Sequence, residues 1–374
     1  MGRILDLVFL FLSFISSFYI KFLKGKSSRK GIAAFPYYSE GWPGGQDRIG
    51  SWKPYFENEG INFDIYWASN KKEYEEFLKT KSVIKKYLFH FNVLFRRVKA
   101  LTKLRNYSTI WIQRSYIPFY PYKNSYFEKS LSKNHENIIF DFYDADYVNN
   151  PKLINNSVKY SNSVTVATPF LLDYFSNINR HAKHIRMTID QKKYKIKKNH
   201  TNNHTIKIGW MGSPENANHV LSIEKIMLQI EKNFNIIFQV VCRDFPTNKL
   251  EKIEIYEWGK NNFNYYEWIS SLDIGIVPYI GDFEILKAKP AMKTLEFMAC
   301  GIPVVSSKWG SFDKMKDKYD FILVKNEKEW IDAITNLVKE VDLRKKIGGN
   351  ARSSFEKYHT HEAIYPKLKK ILCP

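Results

Sequence analysis

Lys289, Lys293 and Glu296 are the residues whose types and spacing come closest to a chemistry in this chain. They lie in the stretch Lys289-Pro290-Ala291-Met292-Lys293-Thr294-Leu295-Glu296-Phe297-Met298-Ala299-Cys300-Gly301-Ile302-Pro303-Val304-Val305-Ser306-Ser307, which reads as loop, helix, turn, strand. Leu295, Met298 and Ala299 fall at i, i+3, i+4 and make an apolar helical face. Gly301 stands where a left-handed C-cap is cheapest. Pro303 cannot continue a helix, and the β-branched Val304-Val305 opens a buried strand. The helix start, at Lys293, Thr294 and Leu295, offers unpaired N–H groups and a positive dipole end, which attract phosphate. The two lysines reinforce that attraction. Glu296, expected in the first turn, can accept two sugar hydroxyls. The combination suits a phosphate joined to a sugar. Taken singly, each residue also reads as a helix-terminal Glu or a solvated Lys.

A second group of acids lies earlier. Ile138 to Phe142 is an apolar run, and Asp141, Asp144 and Asp146 sit at its carboxyl end. A carboxylate there can orient an acceptor hydroxyl or act as a base, which makes Asp141 and Asp144 the catalytic candidates. The plainer role is capping the helix that Pro151 begins. No third hard oxygen ligand is identifiable near Asp144 and Asp146, so no metal is assigned.

The elements that position these residues alternate along the chain. Gly31 to Phe35 reads as a strand, Tyr37 to Gly45 as a loop ending in Gly44-Gly45, Arg48 to Glu59 as a helix, and Phe63 to Trp67 as a strand. That is the opening of a doubly wound sheet, whose ligands collect at the carboxyl ends of strands. Strands follow at 109–113, 138–146 and 163–167. Residues 71–105 read as helices rich in Lys, Arg and aromatics, a basic amphipathic surface. Residues 191–204 are polar and basic without periodicity and read as a linker. A second series opens at Thr205 to Trp210, with Met211-Gly212-Ser213-Pro214 turning into a helix. The glycine permits close backbone approach to a ligand. Strands at 236–241 and 273–278, and a final helix near 360–372, complete it.

Lys and Arg total 58 against 38 acids, a net charge of +20 that favours anionic partners. No helix-turn-helix, RNP or zinc pattern is present, so nucleic acid is not the expected partner. No G-x-G-x-x-G follows either opening strand, which disfavours a dehydrogenase. Three cysteines without C-x-x-C spacing fit a reducing compartment. Residues 4–23 are the most apolar run, with polar residues recurring along one narrow side. A span and an interfacial helix both fit. Lys21, Lys24, Lys26, Arg29 and Lys30 follow, and the positive-inside bias then keeps the rest of the chain cytoplasmic.

The string from Lys293 to Ser307 resembles the donor-site signature of GT-B glycosyltransferases, in particular family 4. The segments 138–146 and 205–214 are similar to one branch of that family. The resemblance implies an α/β fold of two Rossmann-like domains facing across a cleft, here with an N-terminal apolar helix added. Its domains would be a membrane-associating helix at 1–28, an acceptor domain at 29–190, a linker at 191–204, a donor domain at 205–355, and a C-terminal helix at 356–374 crossing back. It implies transfer of a sugar from a nucleotide sugar, UDP- or GDP-linked, to an acceptor hydroxyl, with retention and without metal or other cofactor. Glu296 would hold the ribose; Lys289, Lys293, Thr294 and Leu295 would meet the diphosphate, with Gly212 and Ser213 facing the donor and Gly44 and Gly45 approaching it. A glycan or lipid-linked acceptor at an anionic membrane surface is the expected partner. The family often carries a second Glu eight positions before Glu296, where this chain has Ala288. That departure keeps open a non-catalytic GT-B scaffold.

Overall fold

Runs of β-branched and aromatic residues set the strands, and helical segments between them force parallel pairing, since parallel strands need a long crossover. The computed structural model describes residues 7, 10–12, 14–16, 18, 31–119, 125–197, 200–201, 205–246, 248–281 and 284–374. It separates into two units, Met1–Thr188 with Ile364–Pro374, and Ile189–Ala363.

In the first unit the strands are β1 (Ile32–Phe35), β2 (Phe63–Ile65), β3 (Thr109–Gln113), β4 (Ile138–Phe142), β5 (Ser163–Val166) and β6 (Ala182–His184). They form one all-parallel sheet in the order β2-β1-β3-β4-β5-β6. β1, β3 and β4 are buried throughout, as a sheet covered on both faces requires. β4 stops at Phe142, four residues short of the predicted strand, so Tyr143 and Asp144 lie in the loop beyond it. The expected 48–59 helix is broken into a turn at 50–52 and a short helix, Lys53–Glu57. From Ile364 the last helix, His361–Leu372, packs Leu368 and Leu372 against Ile32, Trp52, Phe63 and Trp111. Thr109 Oγ1 donates to the Leu372 carbonyl at 2.7 Å.

The second unit holds β7 (Ile206–Met211), β8 (Ile236–Val241), β9 (Ile253–Tyr256), β10 (Ile274–Val277), β11 (Val304–Ser307) and β12 (Ile322–Val324). Their order is β12-β11-β10-β7-β8-β9, again all parallel. Trp210, Phe238, Ile276, Val305 and Trp330 share one core, and Phe297, Cys300, Val304 and Trp309 another on the opposite face. Burying a Val or Ile contributes roughly 1.5–3 kcal/mol, so these strands hold their ends in place. The residues expected as a linker do not all lie loose: Lys197 pairs with the buried Asp273 at 2.7 Å.

Most of the N-terminal apolar run lies outside the described residues. The part described, at residues 7, 10–12, 14–16 and 18, is helical and mostly exposed. Among the described residues no helix is long and apolar enough to cross a membrane, so the apolar helix added to the fold finds no support as a span.

Candidate functional site

Each sheet has one place where its strand order reverses, and there the loops diverge to leave a crevice at the carboxyl ends. In the second unit this point lies between β7 and β10. Met211 ends β7 and leads into Gly212 and Ser213; Val277 ends β10 and leads into Pro278 and Tyr279. The helix Met292–Cys300 begins nearby and ends on Gly301 at φ 70°, the left-handed cap expected from the sequence.

Lys293 reaches into this crevice. Its Nζ lies 4.8 Å from the Trp210 ring centroid and 5.5 Å from that of Tyr279. A Cβ placed on Gly212 would come within 2.7 Å of the Trp210 ring and 3.0 Å of Lys293 Nζ, so glycine is what lets the lysine lie against this turn. Tyr279 stacks on Trp309 at 3.9 Å and contacts His219 at 4.5 Å. Lys293 is half-buried, and among the described residues it has no carboxylate partner. Burial, with repulsion from Lys289, brings its pKa down to about 8. Burial and the same two lysines lower His219. Met292 N–H donates to the Pro290 carbonyl at 2.9 Å and Leu295 N–H to that of Ala291 at 3.0 Å. Among the described residues the N–H groups of Lys293 and Thr294 have no acceptor, and they lie at the helix start beside the ammonium. Thr294 and Leu295 are buried, so any contribution they make to a ligand is through the backbone. Ser213 is exposed and accepts a hydrogen bond from Asn216 Nδ2 at 2.7 Å.

Glu296 is the fifth residue of its helix and belongs to the second turn, not the first, because the helix begins at Met292. Its Oε2 accepts hydrogen bonds from Tyr265 and from Tyr194. Neither tyrosine was singled out as a site residue from sequence. Tyr194 follows the turn at Gln191–Lys193, and Tyr265 opens the helix Tyr265–Ser271, so only the fold brings them to Glu296. Trp258, half-exposed beyond β9, lies 4.2 Å from the Tyr265 ring and extends this surface.

The first unit reverses between β1 and β3, and a different cluster fills that point. Arg114, just past β3, has φ 63°, uncommon for a side chain of this kind. Its guanidinium pairs with Asp144 at 2.6 Å and Asp146 at 3.2 Å, under the rings of Tyr37, Tyr38 and Tyr143. Burial raises the Asp146 carboxyl to about 7 against the pull of Arg114. Gln113 ties the loop down: its Oε1 accepts from the Tyr37 N–H and its Nε2 donates to the Gly44 carbonyl, both at 2.8 Å.

One expectation needs correction here. Asp141 is fully buried at the end of β4. Arg48 Nε and Nη2 donate to its two oxygens at 2.9 and 2.7 Å, and Thr165 Oγ1 donates at 2.6 Å. It is a structural counter-ion, not a group that can reach an acceptor. Gly44 packs under Tyr143, whose hydroxyl would lie 2.5 Å from an added Cβ, and Gly45 is buried against Trp67. A side chain at either position would crowd this loop. Asp144 remains partly exposed. Among the described residues no three His, Cys, Asp or Glu side chains gather as a metal site.

Two all-parallel six-stranded sheets, one in each unit, are the GT-B architecture. Residues 223–370 match the family model described as glycosyl transferase-like. The chain is also similar to three solved structures. With sucrose-phosphate synthase from Thermosynechococcus elongatus it shares 13% identity at a TM-score of 0.68, covering 92% of this chain and 98% of that one. With HepE of Anabaena, solved with UDP and glucose, the figures are 12%, 0.62, 92% and 99%. With a glycosyltransferase from Rickettsia africae they are 14%, 0.63, 93% and 100%. No curated protein sequence matches the chain. The resemblance to GT-B glycosyltransferases thus holds for the fold of the chain and for the sequence of its C-terminal part.

Proposed function

We propose that this chain is a glycosyltransferase, of the family 4 kind, that moves a sugar from a nucleotide sugar to an acceptor hydroxyl. The observation that carries the reading is Lys293: a half-buried ammonium that, among the described residues, has no carboxylate partner and lies beside two helix N–H groups without acceptors, at a sheet's reversal point. Such a site lacks an anion, and a diphosphate supplies one. Lys293 and Lys289 stabilise the leaving diphosphate as its charge develops, which is where electrostatic catalysis acts. No metal is then required. Glu296, held by Tyr265 and Tyr194, accepts the ribose hydroxyls, and Trp258 offers a stacking face to the base. The UDP named for the Anabaena neighbour favours UDP over GDP. On the acceptor side, Asp144 is the more accessible acid of the Arg114 pair and the candidate for orienting a hydroxyl.

The reaction is retaining, by the family likeness. The acceptor is a lipid-linked glycan or surface polysaccharide precursor, handled at the cytoplasmic face of a membrane to which residues 1–28 attach. The apolar run and the lysines after it support that placement. A non-catalytic GT-B scaffold is the second reading, favoured by the buried Ala288 where family members often carry an acid.

Calorimetry with UDP-, GDP-, dTDP- and CMP-sugars tests the first reading. One donor should bind wild type and bind Glu296→Ala much more weakly. Folded protein that binds none of them removes the enzyme reading and leaves the scaffold.

A further inference from the structure

The helix Val83–Leu101 is apolar on two sides. Phe89, Val93 and Ala100 face inward, the first two packing against Ala68 and Tyr74. Ile84, Leu88 and Phe95 repeat the same spacing five residues earlier, about 140° round the helix. They are 66%, 57% and 73% exposed. A helix that needs only one stripe to join the core carries a second that contributes nothing to folding. Val83 and Leu78, on the preceding helix Lys71–Lys79, are exposed as well.

Along the 83–101 helix and the residues that follow it, the charge has one sign. No Asp or Glu occurs between Glu76 and Glu128. Lys81, Lys85, Lys86, Lys99 and Lys103 are exposed, and among the described residues none has a carboxylate partner. Two arginines are not part of this surface. Arg97 is buried and donates to the carbonyls of Tyr66 and Pro36, and Arg96 pairs with Glu73 at 2.6 Å.

We infer that the outer face of the 83–101 helix docks on an anionic phospholipid bilayer. The inference rests on the membrane location proposed above and names a second point of contact, on the first unit itself. Charge complementarity selects this occupant. A nucleic acid would engage the lysines but leave the apolar stripe in water. A second copy of the chain would set lysines against lysines. A bilayer surface takes both: apolar side chains enter the headgroup boundary while the flanking lysines meet lipid phosphates.

The test uses the full chain with Cys373→Ser and Phe95→Cys, an environment-sensitive NBD dye on the position-95 thiol, and two kinds of vesicle. The other cysteines, Cys242 and Cys300, are buried. With phosphatidylcholine plus phosphatidylglycerol, emission at position 95 should shift to the blue. With phosphatidylcholine alone it should not. Replacing Lys85 and Lys99 by Gln should weaken vesicle capture roughly fivefold for each lysine removed. Ile84→Glu with Phe95→Glu should weaken it by at least about tenfold. Donor binding should be unchanged in all these variants. Three results would overturn the inference. One is capture by anionic vesicles without a shift at position 95, which assigns binding to residues 1–28. Another is a blue emission before vesicles are added, which means the chain or a second copy covers the stripe. The third is equal capture by both vesicles. Vesicle docking without donor binding would sink the transferase reading alone; donor binding without docking would sink this one alone.

Discussion

The two reversal points differ in how their charges are matched. In the first unit the buried and half-buried cations near the crevice are satisfied within the protein: Arg48 is paired with Asp141, Arg114 with Asp144 and Asp146, and Arg97 donates to the carbonyls of Tyr66 and Pro36. In the second unit Lys293 stands against Trp210 and Tyr279, and among the described residues no acid forms an ion pair with it. The same sheet logic built both, so topology alone does not separate a packed crevice from a receptive one. A desolvated cation with no counter-ion is costly unless a ligand brings the anion. Under the proposed function the unmatched charge is where the ligand's anion would sit, and the matched charges serve architecture or positioning.

The largest expected effect breaks the first side of this comparison. Arg48→Met leaves Asp141 as an uncompensated buried charge, and urea unfolding should show a loss of about 3–5 kcal/mol. A variant as stable as wild type would mean that the pair is not structural.

The second side is tested by Lys293→Ala. Turnover should fall about 10²–10³-fold, equivalent to roughly 3–4 kcal/mol of lost transition-state stabilisation, in steady-state kinetics on the identified donor. Melting temperature should stay level or rise, because the mutation removes an unmatched cation. In wild type the ammonium's pKa is about 8, so its charge, and with it the donor affinity, should be nearly complete well below that value and decline as pH rises through it. The folded-state pKa lies below that of an unfolded lysine. The group therefore opposes folding at neutral pH, and that penalty eases from about pH 8 towards about 10.4. Titrating donor affinity with pH in wild type and Lys293→Ala checks the sign: the decline should vanish in the mutant.

Tyr265→Phe removes one donor to Glu296 and should weaken donor affinity by roughly tenfold, the scale of a hydrogen bond to a charged group. KM should rise more than kcat falls, which a general loss of stability would not produce.

The smallest effect concerns Asp146. Burial raises its pKa to about 7, so the folded state holds its proton longer than the unfolded state does. Stability from this group is present at low pH and lost as pH rises from about 4 to about 7. Asp146→Asn should therefore compare better with wild type at pH 8 than at pH 5 in thermal unfolding. Loss of the Arg114 pair offsets part of that gain.

Much of the donor side was legible because it is local. Gly301 as a left-handed cap, Pro303 and Val304-Val305 as helix stop and strand, and Lys293 at a helix start follow from neighbours within a turn or two. The cluster between β1 and β3 was less legible because its meaning depends on distant partners. Asp141 and Asp144 look alike in the sequence, as acids at the end of one strand. Arg48, 93 positions away, makes the first structural, while Asp144 keeps partial exposure. The crowding around Gly44, where the Tyr143 hydroxyl would lie 2.5 Å from an added Cβ, is likewise set by a residue far away in the sequence.

By itself the sequence determined the alternation of strand and helix, the phosphate-seeking chemistry of 289–296 and the basic, acid-free run after Glu76. Each of these is carried by residue type and short spacing. Only the tertiary structure decided which charges are matched, that Tyr194 and Tyr265 hold Glu296, and that the 83–101 helix carries a second apolar face outward. Those properties depend on side chains far apart in sequence, and burial and pairing are settled when the sheets assemble.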